Sequence, residues 1–201
     1  MEIYVWLLLI GLGAYAIKTT EQRQRIVLLG SYLQKYQLEK LMRTLTDGYL
    51  RALGENDAER RQQIWSMLAS TEILLCGQIE RLALAFSAVD EQQARVSKLP
   101  LALPLVQKLL PGVSFDLRKA LAIHAHGIAR AAQNQQADTL RDKAFTLSAE
   151  LFLFQHTCHW YCRSKAVASA RMLARHQTTY AQLLAAVSPD TREAYRALVA
   201  G

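Results

Sequence analysis

The chain has 201 residues, of which 51% are hydrophobic and 20% are charged, and its formal net charge is +7. This length suits one domain with a short appended element, and the hydrophobic share excludes global disorder. Nine Gly, four Pro and three Cys exclude collagen-like and disulfide-framework classes. So few helix-breaking residues predict a helical protein.

The amino terminus is the most apolar part of the chain. Residues 3–17 carry no charged side chain. The two ends of this run carry residues that favour a membrane interface, and these are Tyr4, Trp6, Tyr15 and Lys18. We therefore predict a membrane anchor over residues 1–20, which contacts the lipid bilayer through residues 3–17.

The charges that flank the apolar run predict its orientation. Only Glu2 precedes the run, whereas Lys18, Arg23 and Arg25 follow it. Basic flanks remain in the cytoplasm, so we expect the amino terminus outside and the body in the cytoplasm. A composition rich in Arg, Ala and Gln is typical of bacterial proteins, so the inner (cytoplasmic) membrane is the expected location.

Two other interpretations of the apolar run remain open. A buried core helix is one, because the run is short for a membrane span and contains Gly11 and Gly13. A cleaved signal peptide is the other, since residues 14–16 (Ala-Tyr-Ala) resemble a cleavage site. A signal peptide begins with a basic region, however, and Glu2 occupies that place. We therefore favour the anchor.

Residues 21–201 predict an all-α cytoplasmic domain, in which the N-terminal transmembrane helix continues into a bundle of long antiparallel helices. Apolar side chains recur at helical spacing from Ile26 to Leu53, so we expect one unbroken helix over residues 21–53. Ser114 and Ser188 are suitable amino-terminal caps for two later helices. The further helices are predicted over residues 58–88, 115–133, 139–180 and 189–200.

Residues 96–113 differ in composition from the rest of the chain. Three prolines and two lysines interrupt a Leu-rich run in this region. Because proline disfavours helix both at its own position and at the residue before it, we predict a Pro-rich linker that packs against the core. A loop that touches the membrane surface is the alternative.

The segment 156–162 contains residue types that bind zinc. Three possible donors share one side of a helix, and these are Cys158, His159 and Cys162. A fourth ligand would have to be His124 or His126, which antiparallel packing places roughly 15 Å away along the helix axis. These two histidines also point to opposite sides of their own helix. We therefore predict a packed core with reduced thiols, and neither a metal nor another cofactor.

Acidic residues within apolar stretches raise a second metal hypothesis. Glu72, Glu80 and Glu150 are placed like the inward carboxylates of di-iron bundles, but no Glu-x-x-His pair accompanies them. We predict hydrogen bonds between helices for these carboxylates instead. The sequence also lacks the nucleophile-elbow, P-loop and dinucleotide-binding motifs, so we assign no catalytic residue.

A run of basic residues near the carboxyl terminus is the most distinctive charge pattern. No acidic residue occurs between Glu150 and Asp190. The basic stripe consists of Arg163, Arg171 and Arg175, with Trp160 at its amino-terminal end. A stripe of this kind fits a protein partner or lipid headgroups better than nucleic acid, because no recognition motif accompanies it. A solvated face without a partner is the ordinary alternative.

These patterns together predict a single-pass membrane-anchored helical scaffold, or an accessory interaction subunit, of a larger membrane-associated assembly. Such a protein is non-catalytic and has a protein partner; self-association into a homo-oligomer remains open. One alternative is a metal-binding or other enzyme that uses residues 156–162. Another is a basic nucleic-acid-binding protein, for which the modest net charge gives little support.

Overall fold

The computed structural model describes residues 2–102, 111–133 and 139–200, and these residues are almost entirely helical, which confirms the all-α prediction. The first four helices are α1 (Glu2–Leu33), α2 (Leu38–Gly54), α3 (Ala58–Phe86) and the short α4 (Glu91–Ala94). Two short strands follow, β1 (Arg95–Ser97) and β2 (Ser114–Asp116). The remaining helices are α5 (Leu117–Ala132), α6 (Leu140–Cys162), α7 (Lys165–His176), α8 (Tyr180–Ala186) and α9 (Pro189–Ala200).

The prediction of one unbroken helix to Leu53 is wrong, because α1 ends at Leu33 and α2 begins at Leu38. A turn over residues 34–37 separates the two helices, and in it the Tyr36 N–H donates to the Leu33 carbonyl over 3.0 Å. The Gln37 backbone N–H donates to the Gln78 side-chain oxygen over 2.8 Å, so the turn is also tied to α3.

The predicted helix over residues 139–180 is also wrong, because the chain folds back after Cys162. Ser164 caps α7 by accepting a hydrogen bond from the Val167 N–H, and Gln177 closes α7 in a left-handed conformation with φ of 51°. The reversal lays α7 antiparallel on α6 and buries Ala168 and Met172. Burial of these side chains is the physical reason for the break.

The Pro-rich linker prediction needs a correction at both of its ends. Val96 in β1 pairs with Phe115 in β2, and both side chains are buried, so a two-stranded antiparallel ladder closes the region. Ser114 lies in β2 and is not a helix cap; the Asp116 side chain caps α5 by accepting from the Arg118 N–H over 2.8 Å. Residues 103–110, with most of the predicted linker, lie outside the described residues.

Helix directions in the core follow from contacts between side chains. Phe86 meets Tyr161 with ring centroids 6.3 Å apart, and Lys143 pairs with Glu72, so α3 and α6 run parallel. Helix α5 runs antiparallel to α6, since His124 bonds Thr157 and Gly127 faces Glu150. The packing is therefore only partly antiparallel.

Glu150 confirms the prediction of a carboxylate that bonds between helices, whereas Glu80 is exposed on α3. Glu150 is fully buried and accepts hydrogen bonds from the Ser188 N–H and hydroxyl over 3.1 and 2.7 Å. Gly127 permits this arrangement, because a Cβ at that position would lie 2.7 Å from Glu150 Oε2 and closer still to Thr191 Oγ1. Burial raises the pKa of the Glu150 carboxyl, against the opposing effect of these hydrogen bonds.

Glu72 forms a second buried connection, which joins three helices. Tyr49 on α2 donates to Glu72 Oε1, and Lys143 on α6 donates to Glu72 Oε2, each over 2.5 Å. The Lys143 and Glu72 side chains are only 13% and 6% exposed. This ion pair is therefore shielded from water, unlike the pair of Arg43 with Glu39, whose side chains are 67% and 77% exposed.

Replacing Lys143 with methionine is expected to destabilise the body by about 3–5 kcal/mol, because it leaves a buried carboxylate without its counter-charge. The double replacement Glu72→Leu, Lys143→Met removes both charges and should recover most of that loss. Urea unfolding of the detergent-solubilised chain, followed by circular dichroism, measures both. Arg43→Met is the matched control and should cost no more than about 1 kcal/mol. A loss equally small for Lys143→Met would contradict the importance of the pair.

Candidate membrane and partner sites

The apolar half of α1 stands free of the body. Leu7, Leu8 and Leu9 are 60%, 64% and 52% exposed, and none of the most apolar 18-residue window of α1 is buried. The buried-core-helix interpretation is therefore wrong for these residues. By length and composition alone, α1 is the one helix in the described part of the chain that could cross a membrane.

The residues predicted for the membrane interface lie along this free half. Tyr4, Trp6 and Tyr15 are 75%, 64% and 68% exposed, whereas Lys18 is half-buried. The hydroxyls of Thr19 and Thr20 donate to backbone carbonyls four residues earlier, over 2.8 and 3.0 Å. These hydroxyls therefore need no partner outside the helix, which suits an apolar environment. Residues 3–20 span about 27 Å as a helix, close to the roughly 30 Å of a bilayer core.

The second half of α1 packs directly on the body. Gln22 and Arg163 exchange hydrogen bonds, in which the Arg163 guanidinium donates to Gln22 Oε1 over 3.0 Å. Arg25 donates to the Tyr161 carbonyl over 3.4 Å and lies over the Tyr161 ring. Leu29 is buried in the core. The body is therefore attached to α1 from the first turn after Lys18, without a linker.

One of the four residues of the predicted basic stripe is not at the surface. Trp160 is buried, and its Nε1 donates to the Ser97 carbonyl over 2.8 Å, so its assignment to an interaction surface is wrong. The three arginines are exposed. Arg163 lies at the turn beside α1, whereas Arg171 and Arg175 lie further along α7.

The two arginines on α7 surround His159. Arg171 donates to His159 Nδ1 over 3.3 Å, which requires that nitrogen to be unprotonated. Burial, followed by the charges of Arg171 and Arg175, lowers the pKa of His159. His159 is thus a neutral acceptor that holds Arg171.

A groove of about 590 Å³ lies where α1, α2, α6 and α7 meet. This volume is within the range of ligand and peptide sites. Its apolar part is lined by Leu33, Tyr36, Leu38, Met42, Phe152, Phe154 and Cys158. Its polar part is lined by Gln34, Glu39, Arg43, Thr46, Asp47, Gln155, His159, Arg175 and His176. We call this feature the central groove.

The residues of the zinc hypothesis do not form a metal site in the described part of the chain. The predicted separation of roughly 15 Å is wrong for His124, because its Nε2 bonds the hydroxyl of Thr157, the residue before Cys158, over 2.9 Å. His126 is exposed on the opposite side of α5. Burial raises the pKa of Cys162 to about 11 and that of Cys158 further, so both remain thiols at neutral pH. Across residues 2–102, 111–133 and 139–200, no three His, Cys, Asp or Glu side chains are placed to hold a metal.

Sequence analysis did not predict the central groove. The groove exists because α1 ends at Leu33, and apolar spacing gave no signal of that end. Phe152 and Arg175 come together there only because α7 folds back on α6. Comparison with protein-family models, with curated proteins and with solved structures gives no match for this chain.

Proposed function

We propose that this chain is a single-pass, membrane-anchored helical interaction module that holds a protein partner in a membrane-associated assembly. The observation that carries the proposal is the uninterrupted helix α1, whose first half exposes apolar side chains and whose second half belongs to the core. Exposure of so large an apolar surface in water is unfavourable, and a bilayer removes the cost. The body then lies on the cytoplasmic side, next to the basic residues after the anchor.

The central groove is the proposed place of partner contact. Aromatic and aliphatic side chains form its apolar part, and Arg175 stands exposed at its edge. Protein interfaces commonly combine such an apolar pocket with an arginine. In this proposal, Arg171 and Arg175 of the basic stripe belong to an interaction surface. Arg163 instead contacts Gln22 of α1.

Cysteine labelling tests the anchor and its orientation. The variant Glu2→Cys places a thiol before the apolar segment, and Leu50→Cys places an exposed thiol on the body. The raised pKa values of the three native cysteines keep their thiols poorly reactive. In intact spheroplasts, a membrane-impermeant maleimide is expected to label Glu2→Cys, and to label Leu50→Cys only after lysis. The reverse result would contradict the orientation, and recovery of the full chain as a soluble protein would contradict the anchor.

Affinity purification in mild detergent tests the groove. The variant Arg175→Glu is expected to lose proteins that co-purify with the wild-type chain. Arg51→Glu is the matched control, because Arg51 is also exposed on a helix but does not line the groove. Equal recovery of the same proteins with both variants would contradict a role of the central groove.

A further inference from the structure

The position of the body relative to the anchor is fixed by α1 itself. If Lys18 marks the end of the apolar segment, Gln22 follows about 6 Å later along the helix. Gln22 already contacts Arg163 at the turn between α6 and α7, and Arg25 contacts Tyr161. The end of the body that carries these residues, which we call the membrane-proximal end, therefore lies at the depth of the lipid headgroups.

A short loop at the membrane-proximal end presents an exposed leucine. Leu101 is 64% exposed, and the residues before it are held in place. The Ala166 N–H donates to the Pro100 carbonyl over 3.0 Å, and the Leu99 N–H donates to the Ser97 hydroxyl over 3.2 Å. Leu101 lines the same small cleft as Lys18 of the anchor, so an apolar side chain is held beside the anchor rather than buried in the core.

The charges around this loop are mainly positive. The basic residues that line the cleft with Leu101 are Lys18, Arg25 and Arg163, and Lys98 lies three residues before Leu101 in the chain. Among the described residues that line the cleft, Glu21 is the acidic one. An apolar residue within a cationic surface matches the chemistry of an anionic bilayer, where the leucine enters the interface and the cations meet phosphate groups.

We propose that the membrane-proximal end rests on the surface of an anionic bilayer, with Leu101 inserted among the headgroups and Lys98 and Arg163 beside it. This inference rests on the proposed anchor and adds that the body is held against the membrane instead of projecting from it. The central groove, at the far end of α1, then faces the cytoplasm about 22 Å from Lys18.

Fluorescence quenching tests this contact. The variant Leu101→Cys is labelled with an environment-sensitive fluorophore, and the full chain is reconstituted into phosphatidylcholine vesicles with or without phosphatidylglycerol. Both kinds of vesicle also contain a quenching lipid that carries a nitroxide near the top of its acyl chain. Leu12→Cys is the positive control within the anchor, and Leu50→Cys, 71% exposed in the wild type, is the control on the body. We expect the label at residue 101 to be quenched several-fold more than the label at residue 50, and more strongly with phosphatidylglycerol.

The controls separate the two proposals. Quenching at residue 12 with equal, weak quenching at residues 101 and 50 would overturn the surface contact and leave the anchor intact. Absence of quenching at residue 12 would overturn the anchor itself. Equal quenching at residue 101 in both lipid mixtures would overturn the role of Lys98 and Arg163, and reduced quenching in the variant Lys98→Glu would support it.

Discussion

The double replacement Leu8→Arg, Leu9→Arg is expected to release the chain from the membrane. Each arginine at the centre of a membrane-spanning helix costs about 2.5–3.5 kcal/mol in insertion free energy, so two oppose insertion by about 5–7 kcal/mol. That cost corresponds to a change of roughly four orders of magnitude or more in the membrane-bound ratio. The fraction of full-length chain that stays in a carbonate-washed membrane pellet measures the effect.

Two exposed residues of the body provide the control for this prediction. Leu50→Arg, Met67→Arg adds the same charge at positions that are 71% and 73% exposed, and should leave the chain in the pellet. Release of the control variant as well would indicate that net charge, and not the apolar segment, decides partition. Retention of the Leu8, Leu9 variant would mean that something other than α1 holds the protein to the membrane.

Acid is expected to destabilise the body between pH 6.5 and 4.5 through two buried histidines. Burial, with a smaller effect of the neighbouring His156, lowers the pKa of His124 from 6.5 to about 3. Burial, followed by the charges of Lys165 and His159, lowers the pKa of His156 from 6.5 to about 4. Both side chains therefore stay neutral in the folded state, whereas the unfolded chain protonates them below pH 6.5. Each histidine lowers the free energy of unfolding by about 1.4 kcal/mol per pH unit, so the folded state loses about 5 kcal/mol of stability over this range.

Glu150 acts in the opposite direction in the same experiment. Because burial raises its pKa above the unfolded value, the folded state takes up this proton at higher pH than the unfolded chain does. Protonation of Glu150 therefore offsets part of the loss as the pH falls. The variant Glu150→Gln removes this offset and isolates the contribution of the histidines.

Denaturant unfolding at a series of pH values measures these contributions. The variant His156→Gln should reduce the steepness of the acid loss by about half, since one of the two protons is no longer taken up on unfolding. His126→Gln, on the exposed side of the helix that carries His124, controls for the loss of a histidine in general. An acid response of equal steepness in the wild type and in His156→Gln would contradict the burial of a neutral imidazole at this position.

The corrections to the predicted helices share one cause. Periodicity located the apolar stripe of α2 but not the turn at residues 34–37, because that turn depends on where α3 lies. In the same way, Trp160 shares a helical face with basic residues in the sequence, but the strand residue Ser97 accepts its N–H in the core. Helical spacing describes one helix at a time and does not indicate which side another helix covers.

The sequence by itself determined the helical class and the apolar character of the first half of α1. These features depend on interactions within a few residues of one another: backbone hydrogen bonds, caps and the hydropathy of one continuous segment. Only the tertiary structure decided where α1 and α6 end, that Trp160 is buried, and that the central groove exists. Those features arise from contacts between different elements of the fold, such as Gln37 with Gln78 and His156 with Ser169, whose energy depends on packing in three dimensions.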